Sequence, residues 1–160
     1  MIMHGLTSFL IAAAAALSPN SAIVVGGSSG MGKAAAAQFV KAGGRALLVS
    51  RDADKLQRAR EEILHATGAD ASAVDTAAVD AADEAAVAAF AAGLASGAYD
   101  ALVVSAAGRA PHGPVAELDV ADARGMMDSK FWTAWHCAKR VGPRLADEGS
   151  ITFVAGVLNR

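Results

Sequence analysis

Three glycines near the start of the chain have a spacing that suits the binding of phosphate groups. Gly26, Gly30 and Gly32 follow a short apolar run at residues 23–25 and precede a helix-forming run at residues 33–40. A strand that leads through a glycine turn into a helix points backbone N–H groups at an anion, and the helix dipole favours the negative charge. The spacing therefore predicts a turn that binds the pyrophosphate of a dinucleotide. The other residues of this predicted turn are Ser28, Ser29 and Met31.

Each glycine has its own physical role in this interpretation. Gly26 lets the chain turn sharply off the strand, and Gly30 leaves room for the backbone to approach phosphate. Gly32 lets the helix pack closely on the sheet. An ordinary strand–turn–helix without a ligand has the same local pattern, so that alternative stays open on the glycines alone.

The end of the second predicted strand bears on which dinucleotide binds. Proteins that prefer NAD usually place a carboxylate there, which accepts hydrogen bonds from the adenosine ribose and repels a 2′-phosphate. This chain has Ser50 followed by Arg51, and a hydroxyl beside a guanidinium suits a phosphate. Lys33 is a further candidate for positive charge. The pair predicts NADP(H) over NAD(H); the alternative is that Arg51 is a solvated strand-end residue beside Asp52.

Strand and helix patterns alternate along the chain, with short turns between them. This alternation predicts an α/β fold: a doubly wound, Rossmann-like parallel sheet of about five strands with helices on both faces. The predicted strands cover residues 21–25, 45–50, 71–79, 99–105 and 150–154. The predicted helices cover residues 33–40, 52–66, a segment from 83 onward, and 120–145.

The predicted helix at residues 120–145 has an apolar stripe at helical spacing. We expect this stripe to face the sheet, with Trp132 and Trp135 on an outer flank. The stripe consists of Met127, Phe131, Ala134, Ala138 and Val141.

Composition limits the other functions that this chain could have. Its 160 residues suit one domain, and about a quarter of them are alanine, which explains the hydrophobic content of 54% without a membrane span. A net charge of −2 argues against nucleic-acid binding. Four scattered histidines give no metal-ligand spacing. A single cysteine, Cys137, excludes an internal disulfide framework and predicts a cytoplasmic protein.

Residues 1–20 form a separate apolar segment that ends at Ser18-Pro19-Asn20. We interpret it as a helix that packs on the domain or on a neighbour, since it is too short for a comfortable membrane crossing. A signal peptide is the alternative, although no Lys or Arg precedes the apolar stretch. The dinucleotide-binding domain is predicted to cover residues 21–160.

The glycine spacing and two later motifs resemble those of the compact branch of the short-chain dehydrogenase/reductase family. The resemblance covers residues 21–160. Asp80, followed by Ala81, matches the acid after the third strand that binds the adenine in that family. Residues 105–108 stand at the place of the family's Asn-Asn-Ala-Gly, with both asparagines replaced. The resemblance thus adds Asp80, Ala81, Ser105, Ala106, Ala107 and Gly108 to the predicted cofactor-binding residues.

The same resemblance implies a catalytic set that this sequence does not match. In that family a Tyr is the general acid/base, a Lys four residues later lowers its pKa, and a Ser holds the substrate carbonyl. Tyr99 is the only tyrosine and opens the fourth predicted strand, while Ala155 and Gly156 stand at the place of the Ser. Lys130 occupies the place of an Asn that relays protons, and it is the one candidate proton relay.

Two hypotheses about function follow. By resemblance, the chain is the cofactor-binding portion of an NADP(H)-dependent oxidoreductase acting on a small carbonyl or alcohol, and its Tyr-x-x-x-Lys pair is expected beyond residue 160. The alternative is a non-catalytic nucleotide-binding or scaffold domain. The resemblance also implies a homo-oligomer that associates through the helix at residues 120–145. We expect no metal, nucleic-acid or membrane partner in either case.

Overall fold

Five parallel strands form a sheet at the centre of the residues that the structure describes. The computed structural model describes residues 21–106 and 113–155. Within them the strands lie in the order β3-β2-β1-β4-β5 and every neighbouring pair is parallel. The strands are β1 Ser21–Val25, β2 Arg45–Ser50, β3 Val74–Ala78, β4 Ala101–Val104 and β5 Ser150–Phe153. This confirms the predicted doubly wound α/β fold.

Helices cover both faces of this sheet. They are α1 Gly30–Lys41, α2 Ala53–Thr67, α3 Glu84–Ala92, α4 Val120–Met127 and α5 Thr133–Arg140. Ala22 and Val24 of β1 pack with α1 and α2 on one face, while Ile23 and Val25 pack with α3 and α5 on the other. Strands that are buried on both faces need a continuous apolar sequence, and the first, second and fourth strands have one. No helix of residues 21–106 or 113–155 is long and apolar enough to cross a membrane.

Two strands, β3 and β4, begin later than the sequence predicts. Residues 71–73 form a 3₁₀ turn before β3, because the Arg60 guanidinium binds the carbonyl oxygens of Ala71 and Val74 at 2.7 and 2.8 Å. Residues 99–100 precede β4, and the Asp100 carboxylate accepts hydrogen bonds from the backbone and the hydroxyl of Ser21. Side-chain contacts of this kind delay the start of a strand, and apolar patterning does not reveal them.

The predicted helix at residues 120–145 is broken in the structure. A π-helical turn, Asp128–Trp132, separates α4 from α5, and Pro143 stands in a 3₁₀ turn after α5 ends at Arg140. A π turn accommodates an extra residue and therefore shifts the helical register. Proline cannot continue the ladder of N–H donors, which explains the early end.

Part of the predicted inward stripe is wrong, because no residue of α4 or of the π turn is buried. Met127 and Phe131 are 50% and 46% exposed, so they do not face the sheet. Val141 is buried as expected, and Ala134 and Ala138 are half-buried. The side chains of this helix that are buried are Thr133, His136, Cys137 and Val141. The predicted helix at residues 1–20 lies outside the described residues.

Candidate cofactor-binding site

The carboxyl ends of β1, β2 and β4, together with the turn after β3, open onto a cleft of about 750 Å³. This is the edge of a parallel sheet, next to the point where strand order reverses, at which doubly wound folds bind ligands. The structure places twelve of the predicted residues around it: Gly26, Ser28, Ser29, Gly30, Met31, Gly32, Ser50, Arg51, Asp80, Ala81, Ser105 and Ala106. Ala107 and Gly108 lie outside the described residues.

Gly26 and Gly32 allow the glycine turn to pack against the end of β4. Gly26 has a φ of +88°, and a Cβ there would lie 2.6 Å from the backbone nitrogen of Ala106. A Cβ on Gly32 would collide with the carbonyl oxygen of Gly26 and the hydroxyl of Ser105. The turn itself is fixed by the Gly26 N–H, which donates to the carbonyl of Val49 at 2.8 Å. Glycine is therefore required at both positions for packing.

The first turn of α1 is left without a side-chain cap. Ser29 is the N-cap residue, but its side chain forms no capping hydrogen bond, and the first turn contains no acidic residue. The N-termini of α2, α3 and α4 are instead capped by Asp52, Asp83 and Asp119. Ser29 and Gly30 are exposed and line the cleft, and Gly30 has a φ of +54° with open space where a Cβ would stand. Uncapped N–H groups at a positive helix end fit a pyrophosphate.

Beside this helix end, the strand end of β2 offers a hydroxyl pair and two cations. Ser28 Oγ lies 3.1 Å from Ser50 Oγ, and Arg51 is exposed on the same wall. Lys55, one turn into α2, also lines the cleft and lies 3.4 Å from the carboxylate of Asp52. The Lys55 backbone N–H, which donates to that carboxylate, holds the pKa of Asp52 below its usual value.

Lys33 is not part of this positive wall. Its ammonium group pairs with Glu62 on α2, and Lys33 is not among the residues that line the cleft. The expectation that Lys33 adds charge at the phosphate site is therefore wrong. Lys55 has that position, and the helical spacing from the capping residue Asp52 is the signal that could have identified it.

The turn after β3 forms another part of the wall. Its Val79 N–H donates to the carbonyl of Ser50 at 2.9 Å, and its Ala82 N–H donates to Asp80 Oδ1 at 3.0 Å. Asp80 is therefore held with one carboxylate oxygen engaged in the turn. We name residues 79–83 the acidic turn.

The opposite wall comes from the broken helix. Gly125 of α4 lines the cleft, followed by Asp128 and Ser129 of the π turn and Thr133 of α5. The Thr133 hydroxyl donates to the carbonyl of Asp128 at 3.0 Å, and the Thr133 backbone N–H donates to the same carbonyl. Lys130, the candidate proton relay, is exposed and is not among the cleft residues. Sequence reasoning missed this wall because the π turn gives no signal in the apolar pattern.

Neither Tyr99 nor Cys137 lines this cleft. Tyr99 precedes β4 and therefore lies at the amino ends of the strands, whereas the cleft lies at their carboxyl ends. Burial raises the pKa of Tyr99, which is the reverse of what a general base needs. Burial likewise raises the pKa of the Cys137 thiol to about 12, so this thiol is inert. Within residues 21–106 and 113–155, no group of three His, Cys, Asp or Glu could hold a metal ion.

Comparison with known proteins agrees with this architecture. The family described as short chain dehydrogenase matches residues 20–159. The chain is 35% identical over 136 residues to 1-deoxy-11-beta-hydroxypentalenate dehydrogenase of Streptomyces avermitilis, covering 83% of this chain and 49% of that protein. It is 34% identical over 130 residues to the NAD(+)-dependent 2-dehydro-3-deoxy-L-rhamnonate dehydrogenase of a Sphingomonas species, covering 80% and 49%. The chain thus spans about half the length of the curated relatives it matches.

A solved structure extends the comparison. The NADPH-bound short chain oxidoreductase from Pseudomonas aeruginosa, described as containing an atypical catalytic center, superimposes with a TM-score of 0.73 at 25% identity. The match covers 84% of this chain and 52% of that one. With the glycine turn, the sheet order and the matched span taken together, this chain belongs to the short-chain dehydrogenase family.

Proposed function

We propose that this chain is the NADP(H)-binding portion of an oxidoreductase that acts on a small carbonyl or alcohol when a C-terminal part completes it. The observation that carries the proposal is the shared cleft, in which the uncapped first turn of α1 and the cations Arg51 and Lys55 face one space. When bound, the nicotinamide cofactor supplies the hydride. The chain's own residues bind the phosphates and orient the dinucleotide.

Support for NADP(H) over NAD(H) comes from charge at the end of β2. Ser50 stands where a carboxylate would accept the ribose hydroxyls, and Arg51 adds positive charge on the same wall. Lys55 also lines this wall, with its ammonium group 3.4 Å from the Asp52 carboxylate. A phosphate dianion between a guanidinium and an ammonium group forms charge-assisted hydrogen bonds. One curated relative uses NAD(+) and one structural neighbour holds NADPH, so the preference proposed here rests on these residues.

Support for a completing C-terminal part comes from the edge of the sheet. Among the described residues, β5 pairs with β4 alone, and its Ile151 and Phe153 side chains are 40% and 48% exposed. An apolar edge strand of this kind is a template for pairing with a further strand. A non-catalytic nucleotide-binding or scaffold domain is the second candidate function. It is favoured because Tyr99 lies at the amino ends of the strands, away from the cleft, and because Ala155 follows β5 where the family has a Ser.

The 160-residue chain is expected to bind NADPH without turning it over. Its cleft holds no phenol for proton transfer, and Ala155 offers no hydroxyl to a substrate carbonyl. The measurement is NADPH oxidation with a panel of ketones and aldehydes, followed at 340 nm, next to a binding titration on the same preparation. Turnover above background that is lost in Lys130→Ala would contradict the prediction of binding without turnover and would make Lys130 catalytic. Failure to bind NADPH would sink the proposed function itself.

We further propose that the chain associates through the outer side of its broken helix. Phe131 stacks on Trp135 with centroids 6.1 Å apart and meets Trp132 edge-on at 5.0 Å, and all three rings are exposed by more than two fifths. Met127 is also half exposed beside them. Soluble monomers seldom expose several large apolar side chains side by side.

The cytoplasmic location stays a prediction from the single cysteine.

Charge on this aromatic surface is expected to separate the copies. A Trp132→Glu/Trp135→Glu double variant should run as a monomer in light scattering at micromolar concentration, whereas the wild type should run as a dimer or larger species. Lys41→Glu is the matched control, because Lys41 is exposed at the far end of α1. A monodisperse wild-type monomer would refute the interface.

A further inference from the structure

His136 is a buried polar side chain that the proposed binding site does not use. It lies on α5, is only 8% exposed, and its Nδ1 is 3.3 Å from the carbonyl oxygen of Ala81 in the acidic turn. A carbonyl oxygen can only accept a hydrogen bond, so Nδ1 must be the donor and carry the hydrogen. The contact joins two segments that are 55 residues apart in the chain.

Two charged side chains of α5 also reach the start of α3. Glu84, the first residue of α3, accepts hydrogen bonds from Lys139 at 2.9 Å and from Arg140 at 2.7 Å. The Lys139 hydrogen bond and then the Arg140 hydrogen bonds lower the pKa of Glu84 to about 2. These ion pairs are exposed, and pairs of that kind contribute little to stability. The buried His136 contact is therefore the one best shielded from water.

The ring of His136 is held from its other side as well. The Trp132 ring stacks near it, with centroids 6.1 Å apart and planes 26° apart. Trp132 belongs to the π turn, and Thr133 next to it lines the cleft. The imidazole thus has a fixed orientation between the outer aromatic surface and the acidic turn.

We propose that His136 is a positioning residue for the adenine half of the cofactor. Ser50 holds the start of the acidic turn through Val79, the Asp80 carboxylate holds its middle, and His136 holds the Ala81 carbonyl from behind. With the last of these removed, the turn keeps its other hydrogen bonds, but the Ala81 carbonyl loses its contact with α5. The inference rests on the proposed dinucleotide function.

Two variants separate the effect of the Nδ1–H donor of His136 from the effect of the size of its ring. His136→Leu removes the donor and keeps an apolar side chain in the site, whereas His136→Asn keeps an N–H donor near the place of Nδ1. A single hydrogen bond contributes about 1 kcal/mol, so His136→Leu should weaken NADPH binding by about fivefold. The loss should be the same for adenosine 2′,5′-bisphosphate and absent for reduced nicotinamide mononucleotide. His136→Asn should recover most of the loss.

The outcomes distinguish failure of this inference from failure of the proposed function. Wild type that binds neither NADPH nor the adenosine fragment defeats the proposed function. The positioning role is overturned if the wild type binds NADPH and His136→Leu binds it equally well. It is also overturned if His136→Asn binds NADPH no better than His136→Leu. A measurement on the wild type alone covers the case in which the variants do not fold. Imidazole nitrogen shifts should report hydrogen on Nδ1, and hydrogen on Nε2 alone would overturn the inference.

Discussion

Gly32→Ala is expected to destabilise the fold by about 2–4 kcal/mol in the free energy of unfolding. The physical reason is that a side chain at Gly32 meets the Gly26 carbonyl and the Ser105 hydroxyl, where the turn packs on the end of β4. The Gly26 carbonyl is backbone and cannot rotate away, so the helix must shift off the sheet. Urea denaturation followed by circular dichroism measures the loss.

Gly30→Ala is the matched control for this change. Gly30 also has a positive φ, but the space around a Cβ there is open. The expected cost is backbone strain alone, about 1–2 kcal/mol. If Gly30→Ala destabilises the fold as much as Gly32→Ala, or if Gly32→Ala is as stable as the wild type, the close packing of the turn on β4 is wrong.

Arg51→Ala is expected to weaken NADPH binding by about 1.5–3 kcal/mol and to leave NADH binding nearly unchanged. The difference arises because only NADPH carries a 2′-phosphate for the guanidinium to bind. Since the side chain is exposed, the effect should shrink as the salt concentration rises. Isothermal titration of both cofactors against both proteins measures it.

Lys41→Ala controls for the loss of one positive charge, because Lys41 is exposed and lies away from the cleft. It should change neither affinity. Equal losses for NADPH and NADH in Arg51→Ala would show that Arg51 acts on the shared part of the dinucleotide, against the proposed preference.

Much of the site could be predicted because its determinants are local in the sequence. The glycine turn needs small residues at fixed spacing, and strands buried on both faces need continuous apolar runs. Together these predict Gly26 and Ser50 at the carboxyl ends of the first two strands, and the family resemblance adds Asp80. The capping role of Asp52 is local for the same reason, since its carboxylate binds the N–H of Lys55.

Other parts of the site depend on contacts between distant segments. The π turn at Asp128–Trp132 interrupts the helix, with Phe131 exposed and Thr133 buried. Lys33 pairs with Glu62 on a neighbouring helix, a choice that neither residue's local sequence reveals. The contact between His136 and Ala81 likewise joins segments that meet only in the folded chain.

Titration of the wild-type chain with NADPH and NADH, with amide chemical shifts followed by NMR, tests the central claim most directly. The account predicts one NADPH per chain and an affinity for NADPH at least about tenfold above that for NADH, the difference of one charge-assisted contact. The largest shifts should fall on Gly30, Met31, Arg51 and Ala81. Binding that shifts residues elsewhere, tighter binding of NADH, or no binding of either cofactor would contradict the account.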